Sequence, residues 1–555
     1  MAVLVVGASH LTTAAQDYTF TINTGAVTIT GYTGPGGPVR VPPAIDGLPV
    51  TSIGEGAFAD SFGVTSIAIP DTVTNVGLLA FLSCTSLTNV TISSGVIGLG
   101  ELSFKNCVSL TDIMVDTNNP VFSGVGGVLF DKDQTTLVQY PQGKTAGCYA
   151  VPAGVQSIGY GAFYDCTELT NLSLPAILEN IGDAAFSGCT KLAAARIPKG
   201  VTNVGVEAFS GCQSLTQLVI PDSVVNLGFS AFFACGGATN ATIGNNVRAI
   251  GNSTFASCSS LSSVTVGNGV ASLGINAFEY CQSLASLTLG SSLTNIGDSA
   301  FSYCFALPDV TIPNGVTTIG SQAFWYCDSL STINLPASVT SIGDRVFEFC
   351  GGLTAITVDP GNPAYESNAG VLFDQRSARL VQYPANNPRS SYPIPAGTAS
   401  VADTAFVSAY FLTSVTIPAS LTNLETLAFC NCPEVAGFFF EGNAPALGDS
   451  VFDLDDAAKV YCLAGTSNWG PTLGGLPTEL WNPQVQVAPA ASLLQPFGFT
   501  IAGAANIPVV VETSTNLAAG SWTAVASVVL TNGSFDFVDP QSTNYPGRYY
   551  RIRSP

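Results

Sequence analysis

The chain has 555 residues, of which 46% are hydrophobic and only 10% are charged. Acidic residues number 37 against 16 basic ones, and the resulting net charge of −21 repels nucleic-acid phosphates and anionic lipid, so we expect neither class of partner. The only histidine of the sequence is His10. The other residues therefore cannot form a Ser-His-Asp triad or a zinc site with histidine ligands.

Residues 1–15 have features of an export signal. The apolar segment AVLVVGA is followed by TTAA before Gln16, although its start carries no Lys or Arg. No window of the sequence reaches the roughly 18 apolar residues that a membrane-spanning helix needs. We therefore expect a secreted or cell-surface protein that does not insert into a membrane.

Residues 16–37 are predicted to form a β-hairpin. The segments YTFTIN and AVTIT alternate apolar and polar residues, and Thr24-Gly25 supplies a turn between them. A repeat protein needs a cap with a polar outer face at its open end, and this hairpin is placed to provide one.

Residues 38–458 carry a repeat that is marked by fifteen phenylalanines. Twelve of the fourteen gaps between them are 23 residues, and the other two are 59. A fixed period of about 20 to 29 residues with L-x-x-L-x-L is typical of a leucine-rich-repeat solenoid, in which each repeat forms one rung. We predict a β-rich solenoid of 23-residue rungs with short helical or 3-10 turns. The marker residues are Phe58, Phe81, Phe104, Phe163, Phe186, Phe209, Phe232, Phe255, Phe278, Phe301, Phe324, Phe347, Phe406, Phe429 and Phe452.

The segment Leu169–Leu174 shows how one rung is expected to fold. Its first, fourth and sixth residues are leucines that point inward, while the Thr, Asn and Ser between them face solvent. A proline then ends the strand, a second apolar pair forms the outer wall, and a glycine permits a tight turn. The marker phenylalanine closes the rung, and its ring is expected to stack on those of its neighbours.

Twelve of the fifteen cysteines lie three residues after a marker phenylalanine. A residue tied to the core period is most simply a small buried side chain, so we predict free thiols there instead of disulfides. The sequence leaves open the state of the other three, Cys148, Cys430 and Cys462. The twelve ladder cysteines are Cys84, Cys107, Cys166, Cys189, Cys212, Cys235, Cys258, Cys281, Cys304, Cys327, Cys350 and Cys432.

Two insertions of 36 residues interrupt the repeat, at about 116–150 and 359–393. Both contain V-L-F-D followed by L-V-Q-Y-P, with a polar turn between these segments. The pattern predicts a hairpin that projects from the solenoid edge or folds over it. Such insertions often lie on a binding face, but they can equally be traces of a larger duplication.

The repeat decays after the last marker phenylalanine. Residues 459–486, rich in Gly and Pro with two Trp, are predicted to form a C-terminal cap and linker. Residues 487–555 contain short alternating segments separated by turn residues, which is typical of a small all-β sandwich module.

Catalytic and metal-binding patterns are scarce. Asp453, Asp455 and Asp456 form the densest carboxylate group, but they lack the glycine and glutamate spacing of an EF-hand, so we expect a solvated turn. There is no G-K-[ST] phosphate loop. We expect no enzymatic activity, no cofactor and no metal.

The repeat at Leu330–Cys350, LSTINLPASVTSIGDRVFEFC, closely resembles the BspA-type class of bacterial leucine-rich repeats. The resemblance covers roughly residues 38 to 460. It implies secretion or surface display and binding of proteins or host matrix components, and some members of the class are described as adhesins. The C-terminal module resembles the small β-sandwiches that end other secreted repeat proteins, which suggests attachment or sorting.

The expected working surface is the solvent side of the strand sheet, where hydroxyls and amides could bind an extracellular protein or glycan. The alternative is that Thr and Ser are simply favourable on exposed strands. Arg196 and Gln217 depart from the hydroxyl pattern, and Phe439 is expected to face outward as a sticky point or a cap contact. The candidate binding residues are Thr170, Asn171, Ser173, Arg196, Gln217, Ser262, Thr265, Ser331, Thr332, Asn334 and Phe439.

The predicted function is that of a non-enzymatic, adhesin-like binding solenoid. A second hypothesis is a structural one, in which copies associate head to tail into a filament or surface layer. A third is a glycan-active enzyme, because glycosidases need only two carboxylates.

Overall fold

The structure, a computed structural model, describes residues 16–487, 496–505, 507–517, 522–545 and 547–553. The predicted export signal, residues 1–15 with His10, lies outside the described residues. The chain divides into two compact units. The first contains the chain up to Leu307 together with Pro313–Ala323. The second contains Pro308–Ile312 and the chain from Phe324 onward.

The L-x-x-L-x-L segments of the first unit form ladders of parallel strands, which we call the long strands. Neighbouring rungs pair in register, so that Asn240 lies opposite Ser263 and Ser263 lies opposite Ser286. Alternate residues such as Ala241 and Val264 are buried, which leaves the residues between them on the solvent side. The long strands are Gly37–Arg40, Val64–Ala68, Asn89–Ile92, Asp112–Val115, Cys148–Ala150, Asn171–Ser173, Ala194–Ala195, Gln217–Ile220, Asn240–Ile243, Ser263–Thr265 and Ser286–Thr288.

A second set of parallel strands, mostly of two residues, lies at the V-x-x-I-G segment of each rung. The glycine after each of these short strands packs tightly on the previous rung: a Cβ on Gly228 would lie 2.4 Å from the carbonyl carbon of Gly205. Its φ is not positive, so close approach, and not the expected tight turn, requires glycine here. The short strands are Leu48–Ile53, Asn75–Val76, Gly98–Leu99, Ser157–Ile158, Asn180–Ile181, Asn203–Val204, Asn226–Leu227, Ala249–Ile250, Ser272–Leu273, Asn295–Ile296 and Thr318–Ile319.

Turns form the corner that carries each marker phenylalanine. Around Phe255, the residues two before and two after it, Ser253 and Ser257, have φ of 53° and 61°. This alternation interrupts helical bonding and directs the Phe255 N–H to the next rung, where it donates to the carbonyl of Ala277 over 2.9 Å. The described rungs therefore use turns where short helical or 3-10 segments were expected.

The marker rings form the stacked column that the sequence predicted. Phe255 is fully buried, and its ring centroid lies 5.5 Å from that of Phe232 and 5.2 Å from that of Phe278. The N-terminal strands Tyr18–Asn23 and Ala26–Tyr32 pair as an antiparallel hairpin. The Tyr32 ring stacks on Phe58 at 5.1 Å, so the hairpin covers the first ring of the column.

A column of thiols accompanies the rings. The twelve ladder cysteines are buried and none of them forms a disulfide bond, whereas Cys148 is exposed. The Cys258 thiol donates to the carbonyl oxygen of Phe232, 26 residues earlier, over 3.2 Å, and the same contact recurs in most rungs. Burial raises the pKa of Cys189 and of Cys350 to about 12, which keeps these thiols protonated at neutral pH.

The first insertion is partly an additional rung. The Tyr140 ring stacks on Phe163 at 4.9 Å, in the place of a marker phenylalanine. The strand before it runs parallel to Ser157–Ile158 and so begins a new series of short strands. Val128 to Phe130 are fully or almost fully buried, so the hairpin folds onto the rungs and does not project from them. The insertion strands are Phe122–Val125, Val128–Asp131 and Thr136–Gln139.

The second unit repeats this organisation. Its insertion again ends in a tyrosine, Tyr383, that stacks on the next marker ring, Phe406, at 4.9 Å. The insertion strands are Tyr365–Asn368, Val371–Asp374 and Arg379–Gln382. The other strands are Asp309–Thr311, Thr332–Leu335, Ser341–Ile342, Ala355–Val358, Ser391–Pro393, Ser400–Val401, Ser414–Ile417, Asn423–Leu424, Gly437–Phe440, Ala446–Leu447, Lys459–Leu463, Thr472–Leu473 and Leu476–Trp481.

The C-terminal residues form two three-stranded antiparallel sheets, as expected of a sandwich module. Apolar side chains from both sheets share one core, including Phe499 and Ile501 from one and Val509 and Val511 from the other. The strands are Gln484–Gln486, Gly498–Ala502 and Ser534–Val538 in one sheet and Pro508–Ser514, Thr523–Val529 and Tyr549–Arg553 in the other. A 3-10 helix spans Ser542–Asn544.

Candidate functional site

The outward residues of the long strands form three columns with a 23-residue spacing. The first column contains Thr170 and Ser262, the second Asn171 and Gln217, and the third Ser173, Arg196 and Thr265. Of these, Ser262 is half-buried and the others are exposed. In the second unit, Ser331, Thr332 and Asn334 occupy the same three positions of one rung and are exposed.

The hydroxyls of the first column are committed to the solenoid itself. The Thr170 hydroxyl donates to the carbonyl of Gly147 over 2.7 Å, and Ser262 donates to the carbonyl of Thr239 over 3.0 Å. In the second unit, Ser331 donates to the carbonyl of Pro308 over 3.2 Å. Each hydroxyl thus ties one rung to the previous one, and a ligand could use only its acceptor lone pairs.

The third column of the first unit is different because three of its consecutive threonines keep their hydroxyls for solvent. Thr242, Thr265 and Thr288 are exposed and stand side by side in the strand register. Within the described chain, none of their hydroxyls has a hydrogen-bond partner. They line a groove of about 700 Å³ whose other walls include Val219 and Asn245.

Positive charge lies at one end of this face. Arg196 and Lys199 are exposed, and Lys199 lines the groove. The neighbouring Lys191 is neutralised by Glu168, whose carboxylate lies 2.7 Å from the ammonium nitrogen. In a chain with a net charge of −21, this end of the strand face is a local exception.

Phe439 is not available as an exposed contact. Its side chain faces away from the solenoid core, as expected, but it is only 3% exposed. The ring stacks on Tyr461 at 4.7 Å and contacts Trp481 edge-on at 6.4 Å, within the core of the C-terminal module. The sticky-point interpretation is wrong because the module covers this residue, which makes it a cap contact.

The second insertion builds a cluster of ion pairs. Arg345 Nε donates to Asp403 Oδ2 over 2.8 Å, and Arg379 pairs with Glu425. The hydrogen bond to Asp403 raises the pKa of Arg345. A cavity of about 60 Å³ between these side chains has room for a few water molecules only. The pair between Arg379 and Glu425 ties the insertion to a later rung, and Asp344 is a further carboxylate that lines the cavity.

Asp455 departs from the solvated turn that the sequence predicted. It occupies the cysteine position of the last rung, is 3% exposed, and accepts a hydrogen bond from the Cys432 N–H over 2.6 Å. Burial raises its pKa to about 7. Among the residues that the structure describes, no group of His, Cys, Asp or Glu side chains is arranged to hold a metal ion.

The sequence correctly predicted that these residues face outward from the strands, but it did not separate committed from available hydroxyls. That distinction depends on carbonyl partners 23 residues away, as for Thr170 and Gly147. The groove was missed as well. Its only signal is a change in three consecutive rungs, where Gly244, Gly267 and Gly290 replace the usual proline.

The stacked 23-residue rungs, the parallel strand ladders and the buried ring column define a leucine-rich-repeat solenoid. The family model for BspA-type leucine-rich repeat regions matches residues 49–129, 149–262, 248–369 and 385–465. The chain belongs to this family. No curated protein matches it.

Solved structures of bacterial leucine-rich-repeat proteins are similar to this chain. One from Bacteroides ovatus is 18% identical with a TM-score of 0.45, over 86% of this chain and 100% of that chain. One from Eubacterium ventriosum is 21% identical with a TM-score of 0.39, over 66% and 100%. A leucine-rich cell surface protein from Faecalibacterium prausnitzii is 21% identical with a TM-score of 0.25, over 86% and 96%.

A search for membrane spans finds no helix of sufficient length and apolarity in the described part of the chain.

Proposed function

We propose that this chain is a secreted or cell-surface, non-enzymatic binding protein that acts like an adhesin and holds an extracellular protein or glycan. The observation that carries the proposal is the third column of the first unit. Thr242, Thr265 and Thr288 place uncommitted side chains at regular spacing on a strand face whose backbone is held on both sides. Such an array suits extended contact with a ligand.

The charged groups favour binding over catalysis. The ion pairs of the second insertion are matched, and Asp455 is buried beneath the last rung. Glycoside hydrolysis needs two facing carboxyl groups in an open cleft, and the groove on the strand face contains a single carboxylate, Asp222. Membership of the BspA-type family supports the proposed surface location.

A solid-phase binding assay tests this proposal. The intact chain is applied to immobilised extracellular matrix proteins and glycans, alongside two variants that each add a carboxylate to an exposed strand residue. Thr265→Glu changes the third column, and Ala249→Glu changes a short strand instead. We expect Thr265→Glu to weaken binding at least about tenfold and Ala249→Glu to leave it unchanged.

Equal binding by both variants and the unaltered chain would move the site away from the strand face. Failure of the intact chain to bind any member of the panel would contradict the proposal as a whole. Light scattering on the same preparation tests the alternative that copies associate head to tail. A monodisperse monomer would contradict that alternative.

A further inference from the structure

The groove in the first unit arises from a local change in the repeat. Proline follows the long strand at Pro198 and Pro221 and again at Pro313, but three consecutive rungs between them have glycine. A Cβ on Gly267 would lie 2.4 Å from the carbonyl oxygen of Gly244, so no larger residue fits without moving the backbone. Gly244 and Gly267 line the groove beside the third column, next to Thr242 and Thr265.

The central strand of this region is paired with a neighbouring strand on each side. The strand at Asn240–Ile243 is paired with Gln217–Ile220 on one side and with Ser263–Thr265 on the other. A peptide cannot add to the sheet at this face, because strand addition needs a free edge. Recognition in the groove therefore depends on side chains.

The side chains that line the groove offer hydroxyls and methyl groups. Thr242, Thr265 and Thr288 each present one of each, and Val219, which is 52% exposed, extends the apolar strip by one rung. Ser223 also lines the groove, but its hydroxyl oxygen is buried. The threonine hydroxyls are therefore the ones that a ligand in the groove can reach.

The groove is almost free of charge. Of its lining residues only Lys199 and Asp222 are ionisable, and both belong to the rungs at its N-terminal end. The carboxamides of Asn245 and Asn268 direct their oxygens to the N–H groups of Asn268 and Ser291, over 2.9 and 3.1 Å. The walls thus hold neutral polar groups in fixed positions.

We propose that this groove binds an uncharged polysaccharide, an inference that rests on the proposed binding function and specifies its ligand. The threonine hydroxyls would exchange hydrogen bonds with sugar hydroxyls. The C–H faces of the sugar rings would lie on the threonine methyl groups and Val219. A charged glycan gains nothing along this floor, and a peptide would leave its own backbone groups unpaired.

Isothermal titration calorimetry on the full chain tests the assignment, with soluble uncharged β-glucan and mannan as probes and hyaluronate as the charged counterpart. Thr265→Val removes one hydroxyl and keeps the β-branched shape, so the strand should be undisturbed. The matched control is Thr91→Val, a third-column threonine of a distant rung that lies outside the groove. We expect an uncharged polysaccharide to bind more tightly than hyaluronate, with affinity reduced about fivefold by Thr265→Val and unchanged by Thr91→Val.

The outcomes separate this inference from the broader function. If uncharged polysaccharides do not bind but the chain still binds matrix proteins, the ligand assignment is wrong and the proposed function stands. If polysaccharide binds and Thr265→Val has no more effect than Thr91→Val, the groove is not the site. If neither glycan nor protein binds, both proposals are contradicted. The triple variant with Thr242→Val and Thr288→Val added should lose more than tenfold in affinity.

Discussion

The residue three positions after each marker phenylalanine shows how far a single side chain could be predicted. Its period and small size indicated a buried thiol, and the structure agrees. The hydrogen bond from Cys258 to the Phe232 carbonyl was not foreseen, because it joins residues 26 apart through the pitch of the rung. Burial explains why this position holds a small side chain. The nearby phenylalanine carbonyl explains why that side chain is also a hydrogen-bond donor.

Asp455 tests this explanation because it occupies the same position in the last rung. Its carboxylate accepts a hydrogen bond from the Cys432 N–H, and its other oxygen is buried without a partner in the described chain. The ordinary pKa of 3.8 rises to about 7 because burial disfavours the charged form. The sequence suggested a solvated turn because three aspartates lie close together, and only the stacking of rungs reveals which of them points inward.

The raised pKa of Asp455 predicts that the stability of the chain falls as pH increases from about 4 toward about 7. Below the ordinary pKa the carboxyl is neutral in both the folded and unfolded states, and its folded contribution is intact. Between the ordinary pKa and the folded pKa the unfolded chain has released this proton and the buried carboxyl retains it, so the free energy of unfolding decreases over that range and levels off above about pH 7. Asp455→Asn keeps the acceptor and removes the charge, and we expect it to raise that free energy by roughly 2 to 4 kcal/mol at about pH 8.

Urea unfolding at about pH 4 and about pH 8 measures this effect. The variant and the unaltered chain should be similar at the lower pH, and Asp456→Asn serves as the exposed control. An equal effect of Asp455→Asn at both pH values would show that the carboxyl is not the titrating group.

At the scale of one rung, the strands followed from the sequence better than the corners did. The alternation of apolar and polar residues predicted the long strands correctly, because successive side chains of a strand point to opposite faces and only one face can be buried. The corners depend on positive φ at residues such as Ser253 and Ser257. Because these residues are not glycines, the sequence did not indicate the positive φ. The sequence interpretation treated each insertion as a hairpin and missed its additional rung. The tyrosine of L-V-Q-Y-P takes the place of a marker phenylalanine, as Tyr140 does, and the spacing of the phenylalanines does not show this.

The ring column is expected to be a main source of stability for each rung. Phe255 is fully buried between two stacked rings, so Phe255→Ala should lower the free energy of unfolding by about 3 to 5 kcal/mol through lost burial and a cavity. Phe229 lies in the preceding rung and is 57% exposed, which makes Phe229→Ala the matched control with an expected cost below about 1 kcal/mol. Chemical unfolding followed by circular dichroism compares the two. Similar costs would mean that the marker rings are not a tightly packed column.

At the scale of the whole chain, the repeat predicted the family, the architecture and the polar strand face, but it did not predict a ligand. The candidate residues were chosen for facing outward, and the first column shows the weakness of that criterion: Thr170 and Ser262 already donate within the solenoid. The uncommitted threonines at 242, 265 and 288 differ from them only in their position along the strand. Which hydroxyls remain for a partner is thus decided by the relation between rungs, and not by residue type.

All of these assignments depend on the claim that equivalent positions 23 residues apart stack directly on one another. Deleting residues 240–262 joins Thr239 to Ser263 in the correct register and removes one complete layer. Deleting 240–261 instead shifts the following strand by one residue, which would turn its buried face toward solvent.

Urea unfolding of the two deletion variants, monitored by far-ultraviolet circular dichroism, measures the stacking most directly. We predict a cooperative transition and an unaltered type of spectrum for the 23-residue deletion, with a marked loss of stability for the 22-residue deletion. Equal stability of the two variants, or failure of the 23-residue deletion to fold, would contradict the stacked-rung account.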